Sequence, residues 1–146
     1  MIKKLVPILT GDLPPGLYRF SSRARATSIQ QQVGAAGWRT FYLDGAEITD
    51  KAAFMQASAS AMQFPAYFGQ NWDAFEESIN DLAWAPARGY VILFDDVAQF
   101  ASQAPDVWSP AYDILCGAVA QWQQTGVPMF VLLRGTGRLL HELPQL

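Results

Sequence analysis

The stretch FPAYFGQNWDAFEESINDLAW, residues 64–84, couples a glycine turn to a helix that is apolar on one side and acidic on the other. Asn71 is a good N-cap for that helix. At about 100° per residue, Trp72, Phe75, Ile79 and Leu82 gather within about 80° of one another. Asp73, Glu77 and Asp81 gather on the opposite side, with Glu76 and Asn80 beside them. The apolar stripe gives the helix something to bury; the acidic stripe has no such account. Asp73–Glu77 and Glu77–Asp81 are like-charge i,i+4 pairs, each costing about 0.2–0.5 kcal/mol. Asp81 also opposes the helix dipole, and the stretch contains no Lys or Arg. Such a face is either simply solvated or meant for a cationic partner. Gly69 reads as a turn that a side chain would obstruct. Tyr67, beside that turn, is the aromatic best placed for exposure, and tyrosine next to charge is an interface composition. Phe68 and Trp72 read as core.

Outward from this stretch, three apolar runs read as strands covered on both faces: TFYLDG (40–45), YVILFDD (90–96) and MFVLL (129–133). Helical stretches separate them. One follows a Thr49/Asp50 cap, a short one lies near DDVAQFASQ, and one opens at Ser109 with Pro110 in the first position and closes at Gly126. Alternating strands and helices predict an α/β fold, a small parallel sheet layered with helices. Residues 1–37 form an extension ahead of it, with GLYRF (16–20) offering a further strand and ATSIQQQVGAAG (26–37) a further helix. The sequence leaves open whether this extension continues the sheet or lies across it. The expected organisation is one domain over 1–146, with a core at 38–134 and a tail at 135–146.

Hydrophobic residues make up 51% of the 146 and charged ones 16%, which argues against disorder. A single cysteine, Cys116, cannot pair within the chain, which favours a reducing, cytoplasmic setting. The apolar run Leu5–Leu9 is too short for a signal peptide and is broken by Pro7. No run suits a membrane helix, so no membrane association is expected. Charge is unevenly spread. Residues 1–43 carry six bases and one acid, net +5, whereas residues 44–113 carry eleven acids and two bases, net −9. A nucleic-acid partner is therefore not expected for the middle of the chain.

Catalytic readings are thin. Asp73 and Glu77 have the residue types of an acid–base pair. His141, the only histidine, lies in the tail; RGTG (134–137) is a weak phosphate-loop pattern; and Cys116 reads as a buried, inert thiol. No Cys/His cluster suits a metal, and no cofactor is expected.

The motif YFGQNWDAFEESINDLAW resembles the signature of the barstar family, intracellular inhibitors of barnase-type ribonucleases. The shared pattern is two aromatics, Gly, a polar residue, Asn, an apolar residue, Asp-Ala, an acid four residues on, and Trp84 beyond the helix. The resemblance covers about residues 38–134. It implies a three-stranded parallel sheet packed with helices, no catalytic activity, and a basic extracellular-type or toxin ribonuclease as partner, as in an antitoxin or immunity protein. By resemblance the partner-binding residues are Tyr67, Gly69, Asn71, Asp73, Glu76, Glu77, Asp81 and Trp84. Glu77 stands where the family's critical acid is an aspartate, and Glu76 where the family's type member has an aromatic. Gln70 and Gln121 stand where it has acids. These departures bear on the target's identity and leave room for a binding module of the same fold with a non-nuclease partner.

Overall fold

Every second residue of the three central apolar runs points to the same side, and both sides are covered. A computed structural model describes residues 1–146. Its strands are β1 (Leu17–Arg19), β2 (Arg39–Asp44), β3 (Tyr90–Asp95) and β4 (Met129–Leu133). All pair in parallel, in the order β1-β4-β3-β2. The register places Leu17, Val131, Ile92 and Phe41 in one row across the sheet. The expected three-stranded sheet is thus corrected to four strands. The added one comes from the extension, because Leu17–Arg19 supplies β4 with partners along an edge that would otherwise be open.

Period-two alternation divides the core. Phe41, Leu43, Ile92, Phe94, Val131 and Leu133 face one side. There they meet α3 (Lys51–Met62), α4 (Trp72–Asp81), α5 (Val97–Gln103) and α6 (Pro105–Thr125). Val91, Leu93, Phe130 and Leu132 face the other side, against Leu5, Ile8, Ile29 and Val33. These last belong to the N-terminal turn, α1 (Val6–Leu9) and α2 (Ala26–Ala35). The extension therefore does both things left open by the sequence: it adds a strand and lies across one face. The chain runs from one sheet edge to the other over α2 and returns strand by strand over α3–α6. Right-handed crossovers travelling in opposite directions must use opposite faces, so the second layer follows from β1's position at the far edge.

One helix boundary differs from expectation. α6 begins at Pro105, so Ser109 is not its cap and Pro110 lies inside it. The chain accepts the missing Pro110 N–H because Val107 and Trp108, in the preceding turn, are buried, with Trp108 edge-on to Phe94 and Phe100. Gly126 terminates α6 as expected, at φ 85°. Past β4 the tail returns to β1, where Arg19 N–H donates to Pro144 O (2.9 Å) and Leu146 N–H to Arg19 O (2.8 Å), covering that edge. No helix is long and apolar enough to cross a membrane.

Candidate functional site

Asn71 sets the geometry of the acidic helix. Its Oδ1 accepts from Ala74 N–H at 2.8 Å, and its Nδ2 donates to Gly69 O at 3.3 Å. One side chain therefore caps α4 and fixes the preceding loop to it. The turn itself differs from expectation in detail. The left-handed residue is Gln70, at φ 52°. Gly69 gives room, since a Cβ there would stand 3.1 Å from the Asn71 Nδ2 that locks the loop and would push it aside by a few tenths of an ångström.

α4 is seated by Phe75 and Ile79, both fully buried. Two tryptophans complete the seat by satisfying carbonyls that helix ends leave without intrahelical donors. Trp122 Nε1–H on α6 donates to Ile79 O (2.8 Å), and Trp84 Nε1–H donates to Met62 O at the end of α3 (2.9 Å). Trp72 packs against the core as expected but is only half-buried, tilted against Phe54 and edge-on to Phe75, with Lys51 Nζ 5.9 Å from its ring centroid. Phe68 is likewise half-buried, packed on Phe64.

The opposite face is open. Asp73, Glu76, Glu77 and Asp81 are exposed. The chain's only ion pairs are Arg134–Asp95 and His141–Glu142, so none of these four acids has an internal counter-charge. The basic residues of the extension do not reach them. Tyr67 is 83% exposed, the highest value of any large hydrophobic side chain after Met1.

Loop and helix enclose a cleft of about 290 Å³. Of the residues singled out from sequence, Tyr67, Gly69, Glu77, Asp81 and Trp84 line it together. Asn71, Asp73 and Glu76 do not; they sit at the helix start and on its outer flank. Ser78 also lines the cleft and was not anticipated, although its position one residue past Glu77 places it between the two stripes. Gln121 is exposed on α6 beside the Trp122 that holds α4.

A second polar cluster, not foreseen, lies at the carboxyl ends of the strands. Arg134 meets Asp95 in a two-pronged pair (Nε–Oδ1 2.6 Å, Nη2–Oδ2 2.9 Å) and donates from Nη1 to Ala24 O (2.6 Å) and Ser22 O (3.1 Å). Tyr42 Oη–H donates to Asp95 Oδ2 at 2.9 Å, and burial followed by that bond raises the phenol's pKa. The sequence signals were the aspartates closing YVILFDD and the arginine following MFVLL. Elsewhere, Cys116 is half-buried, and burial pushes its thiol upward despite the hydrogen bond with Tyr112. His141 is a surface residue.

Compared with known families, residues 38–134 match the family described as Barstar (barnase inhibitor). No curated protein matches the chain closely enough to name a relative.

Proposed function

The chain belongs to the barstar family, and on that premise we propose that it inhibits a barnase-like ribonuclease by covering the nuclease active site with α4 and the loop 64–71. The observation that carries this reading is the exposed acidic face, Asp73, Glu76, Glu77 and Asp81, with no cation of its own chain within ion-pair distance. A ribonuclease site holds phosphates with Arg, Lys and His. Carboxylates on a rigid helix offer the same charge to those groups and exclude the substrate. Tyr67 offers an exposed aromatic beside them, and the cleft between loop and helix has room for one cationic side chain against Glu77 and Asp81. Complementary charge also speeds encounter. On this reading Asn71 acts by holding the loop, Gly69 by leaving room for that lock, and Trp84 by walling the cleft. The amides at Gln70 and Gln121 favour a second reading, a barstar-fold binding module whose partner is not a nuclease.

Calorimetric titration and inhibition assays against a panel of basic barnase-type ribonucleases test this. Asp73→Ala and Glu77→Ala are each expected to weaken binding by more than about 2 kcal/mol, the usual hot-spot threshold, with little loss of fold stability. No binding to any member of the panel would favour the second reading. Tight binding indifferent to both substitutions would place the interface elsewhere.

A further inference from the structure

At the carboxyl edge of the sheet the connections part. The chain leaving β1 turns onto the face covered by α2, while the chains leaving β3 and β4 turn onto the face of α5 and the tail. A parallel sheet opens a crevice where neighbouring connections go to opposite faces, and α/β folds bind ligands there. Here the crevice is a broad, solvent-open depression of about 580 Å³, wide enough for a small ligand to rest at its mouth. Its rim is the run from Phe20 to Ala26, and its floor includes Tyr42, Asp95, Asp96 and Arg134. It shares no residue with the cleft beside α4.

The charges in this crevice are of unequal freedom. Asp95 is fully engaged by Arg134 and Tyr42, and the Arg134 and Asp95 side chains are only 15% and 18% exposed. Asp96 stands against Asp44, and burial together with the neighbouring carboxylates raises its proton affinity. Arg23 and Arg25 are exposed and have no carboxylate partner. Arg134 is thus spoken for by Asp95, the carboxylates Asp96 and Asp44 lie together, and the two guanidiniums without a carboxylate partner, Arg23 and Arg25, stand at the mouth. Directly after Arg25 begins α2, ten residues long, whose leading amides find no side-chain cap and whose first turn holds no acid. The N-cap position, which usually carries Ser, Thr, Asp or Asn, is Arg25 itself. Both sequence and fold leave this helix start without its own acceptor, beside the two exposed arginines at the crevice mouth.

We propose that this crevice binds the phosphate group of a small molecule, held by Arg23, Arg25 and the leading amides of α2, with Arg134 setting the floor. A phosphate has the charge and the several acceptor oxygens that two planar guanidinium forks and a helix start can take together. This goes beyond the inhibitor reading and does not rest on it, because none of these residues belongs to the acidic face.

Titration of the full chain with inorganic phosphate and with adenosine 5′-monophosphate tests the proposal, followed by calorimetry and by amide shifts of Ala26–Ser28. Binding is expected to move those amides. Arg25→Ala is expected to weaken it at least tenfold. Thr27→Asp, which places a competing carboxylate in the first turn without harming the helix, is expected to weaken it at least as much with an unchanged or higher melting temperature. Ten-fold tighter binding of the nucleotide would identify phosphate esters as ligands; equal binding would identify the free ion. The proposal is overturned if neither probe binds, if chloride at matched ionic strength displaces them equally, or if Thr27→Asp leaves affinity unchanged.

Discussion

Glu77 and Asp81 lie one helical turn apart on the wall of the same cleft, so the reach of each side chain decides what fits between them. A glutamate carries its carboxylate one methylene further than the aspartate usual for the family. If that methylene sets the choice of target, Glu77→Asp is expected to tighten binding to a barnase-type nuclease about tenfold, or 1.4 kcal/mol, measured by titration beside the wild type. Asp96 gives a prediction of a different kind. Its backbone is left-handed, at φ 50°, and burial, then Asp44 and Asp95, raise the pKa of its carboxyl. The folded protein therefore holds this proton more tightly than the unfolded chain, so the contribution is most favourable at low pH and is lost as pH rises from the ordinary carboxylate pKa through the raised one. Asp96→Asn keeps a residue tolerant of left-handed backbone. It is expected to raise stability at pH 7 by a few tenths of a kcal/mol, with the gain vanishing in acid; melting curves at both pH values check it.

At the scale of the element, α4 depends on Asn71 at one end and on the Trp122 donor toward the other. Asn71→Ala removes both the cap and the lock on the loop, and is expected to cost about 1 kcal/mol of stability and to weaken partner binding through a looser Tyr67–Gln70 segment. Asn71→Asp, which still caps, is expected to keep most of the stability in denaturant unfolding. The same helix shows how far sequence carries. Its stripe, cap and exposed acids were legible because period and capping are local. So were the three central strands, whose unbroken apolar runs required cover on both faces. Pro110 misled because local preference places proline in a first turn, whereas burial of Val107 and Trp108 extends the helix past it. The left-handed backbone at Gln70 and the Arg134–Asp95–Tyr42 cluster were not legible, the first because glycine next door was the better candidate, the second because its members lie 39 and 53 residues apart in sequence.

For the whole molecule, charge and layering go together. The basic extension covers the sheet face turned away from α4, so the +5 of residues 1–43 does not neutralise the acidic face. Association with a cationic partner is expected to slow as salt rises, since the screening length is only about 8 Å at 0.15 M; stopped-flow rates across a salt series check this. Removing residues 1–37 strips the cover from Val91, Leu93, Phe130 and Leu132. The shortened chain is expected to aggregate or lose cooperative unfolding, as read by size-exclusion chromatography and denaturant titration, even though it retains every residue of the acidic helix.

β1 pairs only with β4 and the tail, so the earliest strand to be synthesised must wait for the latest. From Leu17 to Leu133 the ribosome adds 116 residues, which at about 5–20 residues per second takes roughly 6–23 s. Until β4 is complete, Leu5, Ile8, Tyr18 and Phe20 lack Phe130 and Leu132, two of the four β3 and β4 residues in their cluster. Lys3, Lys4, Arg19, Arg23 and Arg25 are interleaved with them and carry no acid partner in the finished fold. Like charges repel, so the same five cations that the finished fold leaves without an acid partner oppose close association between copies of this segment while its apolar residues are uncovered.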